Sequence, residues 1–286
     1  MTAVAVCGLG LMGLPVATRL AASGFSVSVW DRTPARAAAL AGTGVTVAPS
    51  PAAAAAGARA ALVLVSDFDA VRAVVGGPEG VAAGRPQVIA QMSTIAPHET
   101  LALAADLPSD VRLLDAPVTG SVPQASAGDL RILTGGDDAA HAAAGPVLEA
   151  LGTVVRCGPL GAASALKCVL NTCVAPMVAL LAEGLALADR LDLDQDLLLD
   201  ELERTRVGPL VTRKRAMIES GEFPADSRLK LFAKDMGVAE ATAAACGAQL
   251  RLAHQARLLA EEAVAAGLGE LDYSVLAGYL RDRPAP

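Results

Sequence analysis

The sequence predicts a doubly wound α/β unit that leads through one long helix into an all-helical second half. Three observations carry this. Short apolar strands alternate with alanine-rich helical segments over the first half, the pattern of a mainly parallel sheet covered on both faces. The alternation stops at the turn-rich stretch Cys157-Gly158-Pro159-Leu160-Gly161, and only helical periodicity follows. The apolar run over 161–191 is long enough for one extended, mostly buried helix, with Pro176 expected to kink it. The expected strands are 3–7, 26–30, 45–47, 61–65, 87–90, 112–114, 130–134 and 153–156. Helices lie between most of them, as at 12–22 and 34–41, and the alanine-rich 51–60 is compatible with a helix. These readings divide the chain into domains 1–160 and 161–286, with a ligand cleft expected between them.

Composition narrows the class. The chain has 286 residues, is 53% hydrophobic and only 2% aromatic, so its core must be built from Ala, Val and Leu. A net charge of −7 with no basic tract argues against a nucleic-acid partner. Met1-Thr2 leads straight into the first strand without a signal peptide, and the apolar stretch 174–182 is read as too short for a bilayer. Five scattered cysteines without a C-x-x-C predict reduced, buried thiols in a cytoplasmic protein. His98, His141 and His254 lie far apart, are expected at the surface, and give no metal-ligand spacing.

The most informative motif comes first in the chain. Val4-Ala5-Val6-Cys7 runs into Gly8-Leu9-Gly10-Leu11-Met12-Gly13, a G-x-G-x-x-G that closes a strand and opens a helix. Gly8 permits the tight turn, Gly10 lets backbone approach a pyrophosphate, and Gly13 lets helix and strand pack closely. Free N–H groups at the helix start then face the anion. The next strand ends in Asp31-Arg32-Thr33, an acid placed to read ribose hydroxyls. Strand, glycines, helix and acid together indicate a Rossmann dinucleotide site, whereas the glycines alone would also fit a plain turn.

Four further constellations carry potential chemistry. Lys167 and Asn171 share one face of the long helix among apolar neighbours. The lysine is either a partly desolvated general acid or a snorkelling residue at a helix end. Ser93 and Thr94 follow a strand, where open α/β sheets place ligands, but also suit an N-cap before Pro97. Thr119, Gly120 and Ser121 could present hydroxyl and N–H donors to a substrate carboxylate, or form a simple turn. Lys234-Asp235 reads in isolation as a surface charge pair.

In this order these residues resemble the β-hydroxyacid dehydrogenase family, which includes 3-hydroxyisobutyrate dehydrogenase, tartronate semialdehyde reductase and glyoxylate/succinic semialdehyde reductases. The resemblance rests on the glycine motif, Met92–Thr94, Asp115-Ala116-Pro117-Val118-Thr119-Gly120 with Ala125, Ala127 and Gly128, then Gly161, Lys167, Asn171, and finally Lys234-Asp235. It implies Lys167 as general acid/base, Asn171 beside the substrate, and Ser93, Thr119, Gly120 and Ser121 on the substrate carboxylate. It implies that Lys234 reaches both substrate and cofactor, and that Gly8, Leu9, Gly10, Leu11, Met12, Arg32, Thr33, Val65, Ser66 and Thr94 contact an NAD(P)(H) cofactor. Thr119-Gly120-Ser121 departs from the Ser-Gly-Gly of many relatives and narrows the pocket. Asp31 favours NAD, because it would repel a 2′-phosphate, while Arg32-Thr33 favours NADP.

The leading expectation is therefore an NAD(P)-dependent enzyme interconverting a small aldehyde or ketone and a hydroxy acid or alcohol. An imine reductase and a non-catalytic dinucleotide-binding scaffold are the alternatives. Lys167 counts against both, since imine reductases commonly lack that lysine and a degenerate scaffold has no need of it. The alanine-rich helices of the second half predict a homodimer or homotetramer.

Overall fold

The structure, a computed structural model, describes residues 1–40 and 42–281. Ala41, the last residue of the expected helix 34–41, and residues 282–286 at the end of the second expected domain lie outside it. The chain divides into two compact units, Met1–Lys167 and Cys168–Pro286.

The first unit alternates strands and helices. Its elements begin with β1 (Ala3–Cys7), α1 (Gly13–Ala22), β2 (Ser26–Trp30), α2 (Pro34–Ala38), β3 (Thr46–Val47), α3 (Pro51–Ala55), β4 (Ala60–Val63) and α4 (Phe68–Val75). They continue with β5 (Val88–Gln91), α5 (Pro97–Ala105), β6 (Arg112–Asp115), β7 (Val118–Thr119), α6 (Val122–Ala127), β8 (Leu130–Gly135), α7 (Asp138–Glu149) and β9 (Gly152–Gly158). Among the described residues these strands form one sheet in the order β3-β2-β1-β4-β5-β6-β8-β7, with β9 on β8. The strands from β3 to β6 run parallel, and β8 is antiparallel to β6 and β7. From β1 the chain builds outward in one direction through β2 and in the other through β4. That switch opens a crevice beyond the carboxyl ends of β1 and β4.

Burial alternates as the period-2 geometry of strands requires. Val4, Val6, Val27, Val29, Leu62, Val88 and Ala90 enter one core, and Ala5, Cys7, Ala61, Val63 and Ile89 enter the other. The two-residue β7 escapes the sequence reading, because no periodicity exists over so short a span. The expected strand 61–65 ends earlier, at Val63, and Val65 N–H turns to a side chain, Ser93 Oγ. Helix α7 contains Pro146, which has no N–H to give the carbonyl of Ala142. Arg59 supplies the missing donor, its Nη2 reaching Ala142 O at 2.8 Å, while its Nε reaches the neighbouring Ala143 O at 2.8 Å.

Helix α8 (Ala162–Arg190) runs from the end of the first unit into the second. It is followed by α9 (Gln195–Glu203), α10 (Gly208–Ser220), α11 (Leu229–Ala245), α12 (Arg251–Ala263) and α13 (Leu276–Arg281). The expectation of a mostly buried α8 is corrected. Val178, Leu181, Ala182 and Leu185 pack with Leu199, Val211 and Leu229, but Val169, Val174, Leu180 and Leu187 on other faces are exposed. With 29 residues, α8 is also long and apolar enough by composition to cross a membrane, contrary to the reading of 174–182 as too short, yet its inner face belongs to the helical core.

That core holds a charged cluster that the sequence reading missed. Lys214 is only 1% exposed and donates to Asp226 at 2.6 Å and Asp272 at 2.9 Å, with its amine 4.5 Å from the Tyr273 ring centre. Asp272 also accepts from Ser227 N–H, Ser274 N–H and Ser274 Oγ–H. Of the five free cysteines only Cys7 and Cys168 are buried, while Cys157 is half-buried and Cys173 and Cys246 are exposed, so the expectation of buried thiols holds for two. Burial pushes the Cys7 thiol up to about 12, which keeps it protonated and inert. His98 is exposed, as expected. His141 and His254 are half-buried, and His141 bonds Asp137 O and Thr134 Oγ1.

Candidate active site

The glycine loop lies where β1 ends. Gly8 N–H donates to Trp30 O at 2.9 Å, and Gly8 sits at φ +98° with Leu64 O 2.2 Å from where a Cβ would stand. Only glycine fits there. A Cβ on Gly13 would come 1.8 Å from Gly8 O, so helix and loop touch directly. Gly10 instead faces open space, with nothing within 4 Å of its Cβ position. No side chain caps the start of α1 and no acid occupies its first turn. Open space at Gly10 above an uncapped, non-acidic helix start fits a pyrophosphate. Gly8, Leu9, Gly10, Leu11 and Met12 are the residues that would hold it.

Asp31 is a buried member of this loop. Its Oδ2 accepts Leu9 N–H and its Oδ1 accepts Thr33 N–H, both at 2.7 Å, and Arg36 lies 3.7 Å from Oδ1. Arg32, Thr33 and Arg36 are exposed around it.

At the ends of β4, β5 and β6, backbone and side chains are tied by buried hydrogen bonds. Gln91 accepts Ser93 N–H at 2.6 Å and donates back to Ser93 O at 2.9 Å. Ser93, 5% exposed, accepts Val65 N–H on its hydroxyl at 2.9 Å and donates it to Val63 O, so this hydroxyl joins β5 to β4. Thr94 and Val65 are half-buried beside it, while Ser66 is exposed and donates to Asp67. Thr119 ends β7 and is half-buried, and Gly120 follows it, exposed. Ser121 is buried, and its N–H and hydroxyl both donate to Gln124 Oε1 at 3.0 Å, the bonding of a helix start.

Asp115 ends β6 and is fully buried. Its carboxylate accepts Ser164 N–H and Ser164 Oγ–H, both at 2.7 Å, together with N–H groups of Gly161 and Ala163. Ser164 Oγ also contacts Thr100 Oγ1 at 3.0 Å, anchoring the same turn to α5. Asp115 therefore caps α8 from the end of a strand. Burial pushes its carboxyl above the usual range, and the Ser164, Gly161 and Ala163 bonds pull partly back.

Lys167 lies on the next turn of α8, half-buried, and Asn171 follows one turn later. In the second unit Asn171 Nδ2 donates to Asp235 Oδ2 at 3.1 Å, and Lys234 Nζ is 2.6 Å from Asp235 Oδ1. The structure thus joins Asn171, Asp235 and Lys234 through one carboxylate on α11. Among the described residues no group of three or more His, Cys, Asp or Glu side chains converges as a metal site would need.

Comparison with known proteins assigns this arrangement. Residues 3–161 match the family model of the NAD-binding domain of 6-phosphogluconate dehydrogenase. Residues 161–280 match the NAD-binding domain model of NADP-dependent 3-hydroxyisobutyrate dehydrogenase. The chain belongs to the β-hydroxyacid dehydrogenase family. It is thereby an NAD(P)-dependent oxidoreductase of the class acting on CH–OH groups. It is 32% identical to the probable 3-hydroxyisobutyrate dehydrogenase of Mycobacterium tuberculosis, over 99% of both chains. It is 30% identical to glyoxylate/succinic semialdehyde reductase 1 of Arabidopsis thaliana, over 96% of both. Among solved structures it superposes on 3-hydroxyisobutyrate dehydrogenase from Salmonella typhimurium with a TM-score of 0.88 at 28% identity, covering 98% of this chain and 100% of the other. An imine reductase from Myxococcus stipitatus, 20% identical at a TM-score of 0.63, shares the fold.

Sequence reasoning missed the groups that hold the site together. Asp115 enters the sequence reading only as part of a motif, and Gln91 and Ser164 not at all. A strand-terminal acid and a serine in the first turn of a helix are ordinary in sequence. Their pairing spans dozens of residues and leaves no local trace.

Proposed function

We propose that this chain interconverts a small carbonyl compound of the semialdehyde class and the corresponding hydroxy acid, with Lys167 as general acid/base. The observation that carries the proposal is the capping of α8 by Asp115. It fastens the first turn of α8 to the carboxyl edge of the sheet, the edge where this fold binds ligands, and Lys167 stands on the following turn. A nicotinamide cofactor, when bound, would supply or accept the hydride. Lys167 Nζ gives a proton to the carbonyl oxygen as negative charge grows there, and takes it back from the hydroxyl in the reverse direction. Asn171 holds the same oxygen or its neighbour, oriented by its bond to Asp235, whose charge Lys234 balances.

Thr119 and Gly120 meet the substrate carboxylate, while Ser93 and Ser121 shape the pocket, their hydroxyls being engaged by Val65 and by Gln124. The similarity to 3-hydroxyisobutyrate and semialdehyde enzymes over nearly the whole chain supports this substrate class. Exposed leucines and valines on α8 support a homodimer or homotetramer formed through the helical unit. Five free thiols support a reducing, cytoplasmic setting.

The test is a panel of semialdehydes, hydroxy acids and cyclic imines assayed with NADH, NADPH and their oxidised forms. Turnover of a semialdehyde or hydroxy acid is expected. Turnover of imines alone, or dinucleotide binding with no turnover of any member, overturns the proposal.

A further inference from the structure

The geometry points to a dinucleotide carrying a 2′-phosphate, the NADP(H) class, as the cofactor, with Asp31 holding the glycine loop in place and not reading the ribose. This rests on the reading of that loop as a dinucleotide site.

An acid at the tip of β2 selects an unphosphorylated ribose by turning two open oxygens toward its hydroxyls. Asp31 is not disposed that way. Its side chain is only 6% exposed, and each oxygen is already bonded to a backbone N–H at 2.7 Å. One partner is Leu9 inside the G-x-G-x-x-G, and the other is Thr33 at the start of α2. The carboxylate therefore cross-links the glycine loop to the β2–α2 turn with two charge-assisted bonds. Arg36, 3.7 Å from Oδ1, offsets the charge that would otherwise repel a phosphate.

What remains at the exposed rim is Arg32, Arg36 and the hydroxyl of Thr33. A ribose 2′-hydroxyl needs an acceptor to be selected positively, and a guanidinium offers none. Two guanidiniums and a hydroxyl are instead the donor set that a phosphate dianion takes. They also form a local concentration of positive charge in a chain whose net charge is −7. Asp31 is thus a positioning residue, and Arg32, Thr33 and Arg36 determine specificity.

The test measures binding without turnover. Adenosine 2′,5′-bisphosphate and 5′-AMP are titrated into the full-length protein by calorimetry. The bisphosphate is expected to bind at least about tenfold more tightly, the advantage of a well-paired phosphate. Arg32→Ala and Arg36→Ala, both at exposed positions, are expected to remove most of that advantage. Amide hydrogen exchange of the ligand-free Asp31→Asn protein is the second readout. Exchange at Leu9 and Thr33 is expected to accelerate by about tenfold or more as the cross-link weakens.

Equal or tighter binding of 5′-AMP overturns the inference while leaving the dinucleotide reading intact. So does an Asp31→Asn protein whose Leu9 and Thr33 amides exchange at the wild-type rate and whose loss of affinity is confined to 5′-AMP. Failure to bind either nucleotide overturns the dinucleotide reading itself, and this inference with it.

Discussion

Asp115 in the first unit and Asp272 in the second are both fully buried carboxylates, and they are stabilised by opposite means. Asp115 takes its bonds from Ser164 and the N–H groups that open α8. Asp272 has Lys214 at 2.9 Å, besides Ser227 and Ser274. The consequences diverge in sign. Burial dominates at Asp115 and raises its pKa. At Asp272 burial is outweighed by its hydrogen bonds and the Lys214 charge, and its pKa is lowered.

The difference follows from what each acid supports. Asp115 caps α8 through neutral donors and the helix dipole, with no cation among the described residues bonded to it. In the helical unit a salt-bridged cluster instead fastens α10 to the segments that precede α11 and α13.

The largest effect expected from breaking this comparison is at the ion cluster. Lys214→Met leaves the buried Asp272 and the half-buried Asp226 without their cation and should cost about 3–5 kcal/mol, read from urea unfolding of the full chain. A loss below about 1 kcal/mol would show that the carboxylates find other partners.

Asp115→Ala strands several buried donors and should cost about 1–3 kcal/mol. Because it loosens the turn that precedes Lys167, it should lower kcat more than it raises KM, and Asp115→Asn should recover part of the loss. Equal kcat in all three proteins would separate the cap from the chemistry.

The two acids also differ in pH dependence. Asp115 has a folded pKa above its unfolded value, so its contribution to stability is fully present below the unfolded pKa and is lost as pH rises through the folded one. The stability of wild type relative to Asp115→Asn should therefore increase as pH falls from 7 toward 4, measured by chemical unfolding at each pH. Asp272 has the reverse sign: its contribution is present above the unfolded pKa and is lost as pH falls through the folded pKa. Asp226, raised chiefly by burial, opposes it.

The smallest effect is at α7. Arg59→Ala should cost about 1–2 kcal/mol by freeing the Ala142 carbonyl that Pro146 leaves without a donor. Adding Pro146→Ala should recover part of this, since an N–H returns to that position. No coupling in the double-mutant cycle would remove the proline from the explanation.

How much of this was legible in the sequence depended on whether the relevant contacts were local. The Rossmann strands and the glycine loop were readable because β1 buries Val4 and Val6 on one face and Ala5 and Cys7 on the other, and because Gly8 and Gly13 serve a turn that begins and ends within the motif. The shared face of Lys167 and Asn171 followed from helical periodicity alone. Contacts across the chain were not readable. The position of Asp31 at a strand tip is visible in the sequence, whereas its bond to Leu9 is a product of folding. The Lys214 cluster joins residues from three segments, and a lysine in a helix with neighbouring Arg213 and Arg215 looks like any solvated basic run. The exposure of α8 was misjudged for a related reason, since apolar composition signals a surface to be covered and does not say by what.

If Lys167 moves the proton as proposed, Lys167→Ala removes the general acid. Turnover of the best substrate and cofactor binding are measured on the same preparation. kcat is expected to fall by at least about a hundredfold, the contribution of a general acid, with the cofactor still bound. Turnover close to wild type in a protein that binds cofactor normally would contradict it.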